Sequence, residues 1–138
     1  MEVELHLPVV PNVELVAAKA VETLGAALGM DQTRVEAVSV AVVEACLNAI
    51  EHGGGSMVVR LAGHNDEARP RLIIEVEDHG AGFDPEDPPI DGSSRKFGCT
   101  PKRGWGLTLI RELMDEVQIR SGPGLTLVRM SKYVESAP

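Results

Sequence analysis

Residues 31–55 read DQTRVEAVSVAVVEACLNAIEHGGG, and this stretch decides the architecture. It holds no Pro and no Gly until Gly53-Gly54-Gly55, where a helix must stop. Set at about 100° per residue, Val35, Val38, Val42, Val43, Cys46, Ala49 and Ile50 form one wide apolar arc. Val40 and Leu47 extend it round the other side. The spacing predicts a helix from near Asp31 or Thr33 to about Glu51, with Thr33 and Glu36 spaced as a capping box. Glu44 and Asn48 stand together in the remaining gap, one turn apart, with Ala37 and Ala41 beside them. The pair is either a solvent stripe with Glu51 at its edge or the lining of a pocket. In a pocket it would offer a carboxylate base beside an oxygen donor for a hard cation such as Mg²⁺.

Outward from this helix the pattern is regular. Residues 2–7 alternate, with Glu2, Glu4 and His6 against Val3, Leu5 and Leu7, as in a strand with one wet face. Pro8 and Pro11 end it. Asn12 is the expected cap of a helix running to about Leu28, and Gly29 is its stop. After the triple glycine, residues 57–61 and 72–76 read as strands flanking a turn at 63–70. Residues 84–103 form a long connection with Pro85, Pro88, Pro89 and Pro101, its acids first and its bases Arg95, Lys96, Lys102 and Arg103 last. Connections of this length are usually functional or disordered. Leu107, Ile110, Leu113 and Met114 then mark a third helix. Two strands near 117–121 and 125–133 follow, joined by Gly122-Pro123-Gly124. The order β-α-α-β-β-loop-α-β-β implies an α+β fold, a largely antiparallel sheet with its helices on one face.

The whole chain has 138 residues and suits a single domain, 1–138. It is 43% hydrophobic and 25% charged, which excludes intrinsic disorder as a description of the whole. A formal charge of -8 argues against nucleic acid as a direct partner. The longest run without a charged residue, Leu5 to Val13, is about half of a membrane span. Glu2 and Glu4, with no basic cluster, do not read as a secretory leader. Cys46 and Cys99 lack metal or disulfide spacing, and a reducing cytoplasm is the expected location.

Two further clusters carry chemistry. Asp78-His-Gly-Ala-Gly82 follows a strand directly and is either a tight turn with an Asx cap or a wall where backbone approaches a ligand. Asp78 there can accept from an amino group. Arg103-Gly-Trp-Gly-Leu107 enters the third helix. It is either a plain loop-to-helix transition or a phosphate cradle built on helix N–H groups and the helix dipole.

Taken together and in this order, the three clusters resemble the GHKL superfamily of ATP-binding domains. Glu44-Ala-Cys-Leu-Asn48-Ala-Ile-Glu-His52-Gly53 looks like its N-box. Asp78-His-Gly-Ala-Gly82-Phe83 looks like its first glycine box, and Gly104-Trp-Gly106-Leu107 its second. Gly124-Leu-Thr126 resembles the late glycine–threonine element. Within the superfamily, the run from Gly106 to Val117 and the Glu-x-x-x-Asn-x-x-x-His-Gly spacing are most similar to the bacterial anti-sigma factor serine/threonine kinases.

That resemblance implies a two-layer α/β sandwich of Bergerat type, with a mostly antiparallel, mixed sheet and ATP between the helices and a lid at 84–103. It implies that Asp78 binds the adenine amino group, with Gly80 and Gly82 shaping that wall and Thr126 nearby. Asn48 would hold Mg²⁺, and the backbone of Gly104, Gly106 and Leu107 would cradle the phosphates, with Arg103 beside them. Glu44 would be the general base. The implied partners are a STAS-type anti-anti-sigma protein as substrate and a sigma factor to sequester, with a homodimer favoured. A nucleotide-dependent binding switch without catalysis and a detached ATPase module are the rival readings.

Overall fold

The computed structural model describes residues 1–52, 55–65, 68–80 and 106–135. The elements run β1 (Glu2–Pro8), α1 (Glu14–Ala27), α2 (Gln32–His52), β2 (Ser56–His64), β3 (Arg71–Asp78), α3 (Gly106–Leu113), β4 (Glu116–Gly122) and β5 (Leu125–Tyr133). The strands form a five-stranded sheet in the order β1-β2-β3-β5-β4. Every pair in it is antiparallel, so the expected mixed character is absent among the described residues.

Alternation in the strands sorts the two faces. Val3, Leu5 and Leu7 of β1 continue through Met57, Val59 and Leu61, then Leu72, Ile74 and Val76, then Val128 and Met130, into Val117 and Ile119. All of these pack in one core with α1, α2 and α3. Full burial of one such aliphatic side chain is worth about 1.5–3 kcal/mol. The opposite face is charged. There His6, Glu4, Arg60, Glu77 and His79 form a chain of contacts at 3.1, 2.9, 3.1 and 3.0 Å.

The helix ends follow local chemistry, with two departures from expectation. Asn12 does not cap α1: it lies at φ 74° and the helix begins at Glu14. The α2 cap is Asp31, whose Oδ1 accepts the Arg34 N–H at 2.8 Å, in place of the Thr33–Glu36 box. Glu36 is taken instead by Gln32 Nε2, at 3.3 Å. The α1 stop is as expected. Gly29 sits at φ 81°, its N–H bonds Ala26 O at 3.1 Å, and Met30 N–H bonds Gly25 O at 2.9 Å. β2 runs to His64, past the expected turn at Gly63. A Cβ on Gly63 would lie 2.8 Å from Leu28, so the glycine lets α1 close onto the strand.

Two polar clasps fix the helices that carry the site. Arg34 Nη1 donates to Tyr133 O at 3.1 Å, and Tyr133 N–H donates to Asp115 at 2.8 Å. Lys132 Nζ donates to Leu113 O at 2.6 Å, a cation on the last carbonyls of α3.

Candidate active site

Glu44 and Asn48 occupy the C-terminal half of α2. Glu44 is 6% exposed and Asn48 8%, so the pair is not a solvent stripe. Ala41 and Ala45 around them are fully enclosed. What covers the pair is the start of α3. A Cβ built on Gly106 would stand 3.2 Å from Glu44 Oε2 and 3.8 Å from both amide atoms of Asn48. Glycine is needed there for close approach, since its backbone is ordinary helix. The first turn of α3, whose N–H groups have no partner within a helix, therefore packs on a buried carboxylate and a buried amide. Asn48 Nδ2 is enclosed without a hydrogen-bond partner. A buried amide left so costs stability unless a ligand engages it.

The second group lies at the end of the sheet. Asp78 closes β3 and is 5% exposed; Thr126, its cross-strand neighbour on β5, is 3% exposed. Both point to the helix side, in register with Met57 on β2 and Ser121 on β4. Asp78 Oδ1 accepts the Gly80 N–H at 3.0 Å, which is an Asx turn, and Gly80 O accepts the Gly124 N–H at 3.0 Å. The turn reading of Asp78 is thus correct as local structure, and its carboxylate is buried. Ser121 was not singled out from sequence. Its Oγ lies 2.8 Å from Thr126 Oγ1, and the hairpin register set by Gly122-Pro123-Gly124 is the signal that pairs them.

Chain connectivity brings the two groups to one end of the molecule. α2 ends at His52, β2 begins at Ser56, and Met57 of β2 pairs with Asp78. Glu44, Asn48 and Gly106 meet where α2 and α3 pack, with Leu107 next along α3, and Asp78, Gly80 and Thr126 stand at the end of the sheet where β2 begins. Gly82, Arg103 and Gly104 lie outside the described residues, as do Trp105 and the whole segment 84–103. Cys46 is core: burial foremost, with Glu14 adding to it, pushes its thiol up to about 12. No cluster of three or more His, Cys, Asp or Glu side chains among the described residues could hold a metal. No described helix is long and apolar enough to cross a membrane.

Comparison with known proteins bears on the family and the fold. Residues 10–132 match the histidine kinase-like ATPase domain family. The serine-protein kinase RsbW of Bacillus velezensis is 30% identical over 146 residues, covering 96% of this chain and 85% of that protein. The RsbW of Halalkalibacterium halodurans is 30% identical, covering 96% and 83%. The fold is shared with the RsbU and RsbW domains of a Mycobacterium tuberculosis protein, at a TM-score of 0.71 and 21% identity over 100% of this chain and 33% of that one. It is also shared with the SiaB-SiaC complex of Pseudomonas aeruginosa, at 0.59 and 12% identity over 95% and 89%. The chain belongs to the histidine kinase-like ATPase domain family and, by its nearly full-length likeness to the RsbW relatives, to that family's serine-protein kinases.

Proposed function

We propose that this chain uses Mg²⁺-ATP to phosphorylate a serine or threonine of a STAS-type anti-anti-sigma protein, and that it sequesters a sigma factor. The observation that carries the reading is the Gly106 contact. A backbone position without a side chain lets the first turn of α3 pack on a buried carboxylate and on a buried amide whose Nδ2 has no hydrogen-bond partner. Phosphoryl transfer asks a protein for little beyond such positioning and charge neutralisation.

The donor set suits the nucleotide. When bound, Mg²⁺-ATP supplies the phosphoryl group and a cation to offset its charge. Asn48 would hold the Mg²⁺, since a half-turn of its amide exchanges nitrogen for oxygen. Glu44 would take the proton from the attacking hydroxyl. Asp78 would accept from the adenine amino group, with Gly80 and Gly82 forming the wall and the Thr126 hydroxyl beside it. Backbone N–H groups of Gly104, Gly106 and Leu107 would hold phosphate oxygens, with Arg103 adding charge and 84–103 serving as the lid. Glu44 favours a kinase over a nucleotide-dependent binding switch, which has no use for a base. The RsbW relatives and the SiaB-SiaC neighbour support a protein partner. The cysteine pattern supports the cytoplasm, and the resemblance supports a homodimer. Affinity capture from cells with ATP or ADP present tests the partner set. A sigma factor and a STAS-type protein are expected, the latter recovered phosphorylated on serine or threonine with ATP. Recovery of neither in either nucleotide contradicts the proposal.

A further inference from the structure

α2 and α3 lie antiparallel. The start of α2 meets the end of α3, where Arg34 Nη1 stands 3.9 Å from Asp115 Oδ2. The later half of α2 meets the start of α3, where Gly106 stands over Glu44. The end of α3 is held from β5. Lys132 Nζ donates to Leu113 O at 2.6 Å and lies 3.9 Å from Asp115 Oδ1. Asp115 is locked to the same strand, since its N–H donates to Ser131 O at 3.0 Å and its Oδ2 accepts the Tyr133 N–H at 2.8 Å. The Lys132 side chain is 15% exposed, so solvent does not readily take its place on a carbonyl at the helix end. Between the two ends little resists a slide. The stripe of α2 that carries Glu44 and Asn48 runs back toward this clasp as Ala41 and Ala37, whose single methyl groups do not interlock with a neighbour. At 8 residues α3 is too short to be stable by itself, so its contacts set its place.

We infer that Lys132 is a positioning residue for phosphoryl transfer: by gripping the end of α3 it sets how closely Gly106 stands over Glu44. The inference rests on the assignment of Glu44 as the general base. A Cβ at Gly106 would come within 3.2 Å of Glu44 Oε2, so the gap between α3 and the carboxylate is already narrow. Leu113 lies seven residues on from Gly106, about 10 Å along the helix. A helix this short passes a displacement at one end to the other nearly whole, because its own hydrogen bonds hold its length. That ladder continues past Leu113, with the Met114 N–H on Ile110 O at 3.0 Å. Released from Lys132, α3 shifts along the alanine stripe by a fraction of an ångström. The Glu44 carboxylate then loses the neighbour that fixes it, and with it a single approach to the attacking hydroxyl. The run from Gly106 to Val117 thus has a physical reason: its first residue seats on the base, and Asp115 near its other end anchors the helix.

The test is a double-mutant cycle read in single-turnover transfer at saturating ATP, with a melting temperature for every variant. Lys132→Met removes the donor and the charge and keeps most of the length. It should slow transfer by about 10-fold, the cost of a fraction of an ångström at the reacting groups. Gly106→Ala alone should slow it by about 10-fold as well. Sites this far apart with no shared partner normally act independently, and the two losses would then multiply to about 100-fold. If Lys132 holds α3 onto Glu44, its removal lets the added methyl back away, and the double variant should be slowed by about 10-fold. A mere loss of folded protein would multiply with Gly106→Ala and would not give this result. Normal transfer by Lys132→Met, or losses that multiply, overturns the inference and leaves Glu44 in its role. Should Lys132→Met melt below the assay temperature, Lys132→Gln, which loses the charge and one atom of reach, carries the same cycle. Normal transfer by Glu44→Gln overturns the base assignment, and this inference with it.

Discussion

Gly106→Ala separates the site from the fold. The backbone there is helical, so alanine is conformationally acceptable and favours a helix by up to about 1 kcal/mol over glycine. The new methyl would stand 3.2 Å from Glu44 Oε2, inside the most favourable separation of about 3.5–4.0 Å. The carboxylate must give by a few tenths of an ångström, while the Asn48 amide atoms at 3.8 Å stay in ordinary contact, so the shift falls on Glu44, the proposed general base. A misplacement of about 1 Å can cost roughly 10²-fold in rate, so a fraction of it should cost about 10-fold. Stability should change by less than about 1 kcal/mol, because the helix gain offsets the crowding, and the melting temperature should stay within about 5 °C. The assays are thermal unfolding and transfer of the γ-phosphoryl to the protein substrate at saturating ATP. Normal transfer by the folded variant would refute the assignment of the Glu44–Asn48–Gly106 contact as the catalytic pocket.

Asp78→Asn should weaken ATP binding by 10-fold or more on the order expected for a site built around one hydrogen bond, and the unaltered protein should prefer ATP to GTP; titration calorimetry with both nucleotides checks this. Gly124→Ala should destabilise by about 1 kcal/mol, because Gly124 lies at φ 86° in the β4–β5 turn; chemical unfolding measures it. Burial works against the Glu77 charge, but hydrogen bonds from Arg60 and His79 outweigh it and hold the carboxyl below its ordinary value. Its contribution is then present above the unfolded pKa and lost as pH falls through the folded one. Glu77→Gln should cost a few tenths of a kcal/mol at pH 7 and progressively less as the pH falls below the ordinary carboxylate range, by urea unfolding across a pH series.

Local chemistry was legible in the sequence and long-range placement was not. The helical spacing through Ile50 and the alternation in residues 2–7 gave those elements directly, since periodicity reports a buried face. The Gly29 stop was equally plain, because the φ of 81° found there suits glycine. Which of Asp31 and Thr33 caps α2 was open, because both can accept from the first turn, and only the 2.8 Å bond to Arg34 decides it. The β3–β5 pairing joins strands separated by α3 and β4, and no local pattern encodes it. The wheel gave the azimuth of Glu44 and Asn48 and nothing about what faces them. That the N-terminus of α3 does so required the packed structure. Ser121 escaped notice because its role depends on register.

The most direct test of the central claim is single-turnover transfer from Mg²⁺-ATP to the anti-anti-sigma protein by the unaltered chain and by Glu44→Gln, with ATP affinity measured on both. The account predicts phosphoserine or phosphothreonine on the substrate, ATP affinity within a few-fold in the variant, and a transfer rate lower by roughly 10²-fold, the size of a general-base contribution. Equal transfer rates for the two proteins at saturating ATP would contradict it.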